Sequence, residues 1–273
     1  MKKLLSLILV LALLIALPAM AEGKTIVIGA SPSPHAEILE FIKDDMEALG
    51  YTLDIKIFTE YPLPNPALDA GELDANYFQH LLYLQDYNAT IPEERHLNAA
   101  IGVHYEPFAI YAGITKSLED LQDGAVITVP NDPSNETRAL LLLQEAGLIS
   151  LPEGASPSDS LTVMDVINPR NFDIREIDAN QLPSTLEDVD IAVINGNFAL
   201  DAGLTAVEDG LFLEPVDGED TKSYINYLVV RPDALEQQWF TDLRSMICSD
   251  KVQQFILEKE DYKGGVVPAF TVE

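Results

Sequence analysis

The chain has 273 residues, 47% of them hydrophobic, with 45 acidic against 16 basic side chains and a formal net charge of −29. So negative a surface repels nucleic acid and anionic lipid, and excludes both as partners. The apolar content supports sizeable cores, and the length fits one large domain or two lobes.

Lys2 and Lys3 precede an apolar run over residues 4–17, then Pro18 and Ala19-Met20-Ala21. A positive start, a run shorter than the ~20 residues that span a bilayer, and a small-x-small site make residues 1–21 a secretory signal peptide. The mature chain is expected to begin near Glu22 and to carry −31 once Lys2 and Lys3 leave with the leader. Glu22 stands where a lipid-anchored protein has its cysteine, and the only cysteine is Cys248. A soluble, exported, periplasmic protein is therefore expected, with no diacyl anchor and no intramolecular disulfide. Cys248 sits in a helical pattern and reads as a small apolar residue.

Residues 25–30 are β-branched and end at Gly29-Ala30, as in a buried strand. Ser33-Pro34 predicts a helix start, with Ser as N-cap and Pro at the first helical position. Ile38, Phe41, Ile42, Met46 and Leu49 then recur at helical spacing up to Gly50. Residues 52–58 alternate like a second strand, so the opening is a βαβ unit on a parallel sheet.

The middle repeats this theme. Residues 125–129 form a strand, 130–135 a turn and helix cap, and 139–146 a helix closed by Gly147. Residues 172–177 read as a strand, Leu186 and Val189 as a short helix, and 191–194 as a very apolar strand ending at Asn195. A strand over 227–230 follows, then helices over 234–247 and 252–257 and a break at Gly264-Gly265. No Pro/Gly/Ser linker divides the chain. Two lobes are expected to be joined by strands crossing near residues 113–115 and 222–226. Lobe 1 is then residues 22–113 with 226–273, and lobe 2 is 114–225.

Arg138 is the foremost candidate among the charges. It falls in the first turns of a helix, where a cation opposes the macrodipole. An Arg there adds a bidentate fork to a helix end that already favours anions. Pairing with Glu136 on the surface is the plain alternative. Asn195 ends a strand where open α/β folds bind ligands, or else it only turns the chain with Gly196. Phe78, His80 and Tyr83, with Tyr61 before Pro62, suit an apolar slot with polar tips as well as an ordinary core. Catalytic signals are weak. Gly29-Ala30-Ser31-Pro32-Ser33 lacks the closing Gly of a nucleophile elbow, and His35, His80, His96 and His104 show no metal-ligand spacing.

Several uncommon strings occur in order: Pro34-His35-Ala36-Glu37-Ile38-Leu39, Asn65-Pro66-Ala67-Leu68 and Leu73-Asp74-Ala75-Asn76-Tyr77-Phe78-Gln79-His80. Pro130-Asn131-Asp132-Pro133-Ser134-Asn135 with Arg138, Gln181-Leu182-Pro183, Ala192-Val193-Ile194-Asn195 and Gly264-Gly265 continue the series. Over the whole mature chain these resemble the substrate-binding proteins of methionine ABC importers, the NlpA/MetQ family. The resemblance implies a two-lobed α/β fold of the type II periplasmic-binding-protein kind. Each lobe is a mostly parallel sheet flanked by helices, and two crossing strands join them. It implies a monomer without cofactor or metal that captures methionine, L- and also D-, by lobe closure and delivers it to a membrane permease with its ATPase. By matching motifs, Arg138 would hold the ligand carboxylate, and Asn195 and Asn226 would bond the polar end. Tyr61, Phe78, His80 and Tyr83 would line the side-chain slot. A binder of another small apolar amino acid or of a methionine-containing dipeptide is the alternative, and an exported hydrolase a remote third. Two departures stand out: the cysteine is missing, and Glu136-Thr137 precede Arg138 where the family has a small residue.

Overall fold

The computed structural model describes residues 23–215 and 220–272, so the signal peptide expected over residues 1–21 lies outside the described residues. Eleven strands follow in chain order: β1 (Lys24–Ala30), β2 (Tyr51–Ile57), β3 (Ala75–His80), β4 (Asn98–Tyr105), β5 (Ala109–Ala112), β6 (Val126–Pro130), β7 (Asp173–Ile177), β8 (Ile191–Ile194), β9 (Gly210–Leu213), β10 (Ile225–Val230) and β11 (Val267–Pro268). The helices are α1 (Glu37–Phe41), α2 (Lys43–Ala48), α3 (Pro64–Asp69), α4 (Leu81–Ala89), α5 (Pro133–Glu145), α6 (Leu182–Thr185), α7 (Gly196–Asp201), α8 (Ala206–Asp209), α9 (Gln238–Ile247) and α10 (Asp250–Glu258).

The strands form two sheets, one in the order β11-β4-β10-β3-β1-β2 and the other β7-β6-β8-β5-β9. In the first, β1 runs parallel to β2 and β3, and β10 and β11 pair antiparallel. In the second, β6 is parallel to β7 and β8, and β5 is antiparallel to β8 and β9. The chain passes from the first sheet to the second between Tyr105 and Ala109 and returns between Leu213 and Ile225.

The first crossing is therefore earlier than the expected residues 113–115. Residues 109–112 pair in the second sheet, not on the lobe 1 side. Gly113 marks the end of β5, where its N–H donates to the Asp190 carbonyl at 3.0 Å. A Cβ at Gly113 would lie 2.1 Å from the Val189 carbonyl oxygen, so this glycine serves close backbone packing rather than a lobe boundary.

Each sheet owes its place to apolar faces. Ile26, Ile28 and Ala30 of β1 are fully buried beneath Ile38, Leu39 and Met46, and Trp239, Leu243 and Ile256 of α9 and α10 join the same core. Cys248 packs against this core as a half-buried residue. All four residues of β8 are fully buried, because Leu140 and Leu143 of α5 cover one face of its sheet and Leu182 and Ala199 the other.

Three local expectations change. Ser33 is extended (φ −112°, ψ 143°) and does not cap a helix. Its hydroxyl donates to Glu37 Oε1 at 3.0 Å, and regular α-helix begins at Glu37. Leu49, expected on the buried stripe, is 49% exposed because the helix has already ended and Gly50 turns away with φ +88°. The short helix expected at Leu186 and Val189 lies earlier, at α6, with Pro183 in its first turn.

Candidate functional site

The carboxyl ends of β3, β6 and β8 face one cleft between the sheets, the place where open α/β folds put ligands. A pocket there is lined by all seven candidate residues: Tyr61, Phe78, His80, Tyr83, Arg138, Asn195 and Asn226. Gln79, Glu106, Asn135, Gly196 and Asn197, none of them anticipated, also line it.

Arg138 is held by helix α5. Its N-cap is Asp132, whose carboxylate accepts the Asn135 backbone N–H at 3.1 Å. Asn135 and Arg138 are three residues apart and share the cleft-facing side of the helix. The guanidinium is buried, and its surface alternative fails, because Glu136 instead accepts the Val163 N–H at 2.9 Å. Its partner is Glu214, reached by Nε at 3.1 and 3.2 Å and by Nη2 at 2.5 Å, and Nη2 also donates to the Glu106 carbonyl at 3.0 Å. Tyr224 and Phe108 present ring faces 4.0 and 4.7 Å away. Burial opposes the charge, but Glu214 with Tyr105 and Tyr224 more than offsets it and keeps the group protonated. Nη1 makes no hydrogen bond among the described residues.

A directed chain of amides lies beside it. Asp132 accepts both the backbone and side-chain N–H groups of Asn135, which turns Asn135 Oδ1 outward. That oxygen accepts from Asn195 Nδ2 at 2.7 Å and from His80 Nε2 at 3.2 Å. Asn195 Oδ1 is thereby left buried without a partner among the described residues, as is Asn197 Nδ2. Unpaired buried polar atoms of this kind call for an explanation, and a bound polar ligand supplies one.

His80 ends β3 and caps α4, with Nδ1 accepting the Tyr83 N–H at 3.2 Å. This leaves Nε2 as the protonated nitrogen. Burial, and then Arg138, pull its pKa down to about 3, so the ring is neutral. Tyr61, Phe78 and Tyr83 meet ring to ring at 5.7 to 5.9 Å, and Tyr61 also lies 4.8 Å from Phe198. Beneath them Asn65, Asn76 and Gln79 satisfy one another with bonds of 2.6 to 3.0 Å. This buried amide cluster is the physical reason the Asn65 and Asn76-to-Gln79 strings occur together.

Glu106 lies on the first crossing, 5% exposed. Burial pushes its carboxyl pKa up, while His35, Arg138 and the Asn197 backbone N–H pull it down less strongly. His104 Nε2 donates to it at 2.7 Å, His35 Nε2 lies 3.7 Å away, and Tyr77 OH bonds His104 Nδ1. His35 Nε2 in turn donates to Asn226 Oδ1 at 3.0 Å. Sequence spacing offered no metal site, yet the fold brings His35, His104 and Glu106 within 4.8 Å of one another. The Nε2 atoms of both rings already donate to oxygens, so the group is a buried hydrogen-bond network behind the pocket. Burial lowers the His104 pKa to about 3 and the His35 pKa to about 4, so both rings are neutral.

The sequence reading missed Glu106 because it assigned no element to residues 98–112. The i, i+2 spacing of His104 and Glu106 was the available signal. Sequence pattern places Asn135 only in a cap and gives Asn197 no element.

Comparison with known proteins identifies related chains. The NlpA lipoprotein family matches over residues 26–270. D-methionine-binding lipoprotein MetQ of Escherichia coli (strain K12) is 37% identical over 248 residues, covering 89% of this chain and 86% of that protein. Methionine-binding lipoprotein MetQ of Bacillus subtilis (strain 168) is 34% identical over 90% of this chain and 88% of its own. A nutrient binding protein from Burkholderia cenocepacia, solved bound to methionine, superimposes with a TM-score of 0.83 at 39% identity, over 90% of this chain and 100% of that one. The fold is thus the two-lobed α/β fold expected, and these relatives are binding proteins rather than enzymes. The same comparisons correct the expected localisation. The family and both curated relatives are lipoproteins, held at a membrane through lipid, so the freely soluble periplasmic protein inferred from Glu22 and the lone Cys248 is set aside. That inference rested on one position in a stretch outside the described residues, and it is outweighed by a match across the whole folded chain.

Proposed function

The chain belongs to the NlpA lipoprotein family, and from that premise we propose that this substrate-binding protein captures methionine in its cleft by lobe closure and hands it to a membrane ABC permease with its ATPase. The carrying observation is one pocket that joins a buried cation, a buried carboxyl group and an aromatic box. A free amino acid has the complementary parts: a carboxylate, an ammonium and a side chain. The lobes in this reading are residues 23–105 with 225–272, and residues 109–213.

Arg138 takes the ligand carboxylate through its Nη1 corner, since Glu214 and the Glu106 carbonyl hold the other side. The ammonium donates to the unpartnered Asn195 Oδ1 and to Glu106, whose carboxylate is the nearest fixed anion on the first crossing. Asn226, held by His35, completes the polar end. Tyr61, Phe78, Tyr83 and the neutral face of His80 surround the thioether, where sulfur–aromatic contacts contribute about 0.3–1.5 kcal/mol each. Support comes from the methionine that the relatives bind by name or in a solved structure, and from orphaned polar atoms that a zwitterion would pair.

Arg138→Ala is expected to cost about 2–4 kcal/mol of methionine binding, because charge-assisted bonds are lost and a carboxylate is buried unpaired. Calorimetric titration reads this directly. An Arg138→Ala protein with wild-type affinity removes Arg138 from the site.

A second reading draws on the adjoining chamber of about 200 Å³, which shares Tyr61 and Tyr83 with the pocket and is lined by Glu60, Asp132 and Asp178. It has room for the second residue of a methionine-containing dipeptide. Competition between Gly-Met and methionine separates the two: displacement of methionine by equimolar Gly-Met favours the dipeptide.

A further inference from the structure

Asn197 lies in α7, two residues past Asn195, and is 2% exposed. Its Oδ1 accepts the Tyr61 hydroxyl at 2.5 Å, and its Nδ2 is buried without a partner among the described residues. Tyr61 comes from the turn after β2, on the first sheet's side, and packs on the second sheet's Phe198. The Tyr61–Asn197 bond therefore spans the cleft over the pocket that both residues line.

A buried donor demands an acceptor. On an amino acid the strong acceptors are the carboxylate oxygens, since a thioether sulfur accepts only weakly. We propose that Asn197 is a ligand-binding residue that doubles as the closure latch: Nδ2 donates to the ligand carboxylate while Oδ1 holds Tyr61 across the cleft. The inference rests on the amino acid ligand proposed above. One amide then reads two events, ligand arrival and lobe contact. Because its two ends are a fixed distance apart, ligand bound at Nδ2 orients Oδ1 for Tyr61. Occupancy and closure are coupled through a single side chain.

Two variants separate the roles. Tyr61→Phe keeps the aromatic wall and removes the latch. Asn197→Asp keeps an acceptor for Tyr61 and replaces the donor by an oxygen that repels a carboxylate. Stopped-flow fluorescence and calorimetry with methionine give dissociation rate and Kd, and thermal unfolding verifies the fold. Tyr61→Phe is expected to raise Kd about threefold through faster dissociation, and Asn197→Asp to raise it about tenfold or more, the worth of one hydrogen bond to a charged group. The Asn197→Asp effect persists in the Tyr61→Phe background, because it acts on the ligand. Folded Asn197→Asp protein with native Kd, beside a wild type that binds methionine, overturns this inference alone. A wild type that binds no methionine overturns the ligand reading and this inference with it.

Discussion

Glu106 and Arg138 present opposite charges to the same small pocket, and each is held by bonds that leave part of it for a ligand. For Glu106 this has a consequence in pH. Its folded pKa is raised by burial, and only the ionised carboxylate attracts an ammonium. Affinity for methionine should therefore fall on acidification, and the fall should begin at a pH above the ordinary carboxylate range near 4.3. The groups facing Glu106 do not reverse the sign, since His35 and His104 stay neutral until about pH 4 and 3, and Arg138 remains charged. Below the raised pKa, binding should release a proton, visible as a dependence of calorimetric heat on buffer ionisation enthalpy. Glu106→Gln should bind weakly with a flat pH profile. A wild-type Kd that does not rise on acidification would count against Glu106 as the ammonium's partner.

At the scale of elements, two glycines mark where backbone and site are tightest. A Cβ at Gly196 would sit 2.6 Å from Glu106 Cβ and 2.7 Å from its Oε2. Gly196→Ala should displace Glu106 from its Cβ outward, weakening methionine binding about tenfold as well as lowering stability. Gly113→Ala meets backbone oxygens at 2.1, 2.9 and 3.0 Å instead, and should lower stability by about 3 kcal/mol with little change in affinity per folded molecule. Denaturant melts and titrations of both variants test the contrast, and a reversed pattern would refute it. The same scale shows what the sequence made legible. The α5 cap and Arg138 were readable because Asp132, Asn135 and the helix are neighbours in the chain. Strands β4 and β5 were not, because Asn98–Tyr105 mixes half-buried and buried positions without clean alternation and holds Gly102. Glu106 went unseen with them. Neither could Asn197 be read, since its partner Tyr61 is 136 residues away. The resemblance supplied Asn226, which local pattern alone did not select.

For the whole molecule, the site is sheltered from the charge around it. Methionine is net neutral, so the acidic surface neither steers nor repels it, and salt screens buried contacts little. Its Kd should change less than about twofold between low and high salt, whereas a protein–membrane contact driven by surface charge would weaken. The two sheets meet across the cleft through Tyr61–Asn197 and His80–Asn135, so closure and ligand contact share residues. In the proposed function this cleft holds a methionine zwitterion. Titration of L-methionine into protein unfolded and refolded to strip retained ligand tests it most directly. Tight one-to-one binding is expected, and Arg138→Ala should abolish it or weaken it by about 2–4 kcal/mol. Absence of binding heat from refolded, folded protein with L- or D-methionine, or tight binding left intact in Arg138→Ala, would contradict it.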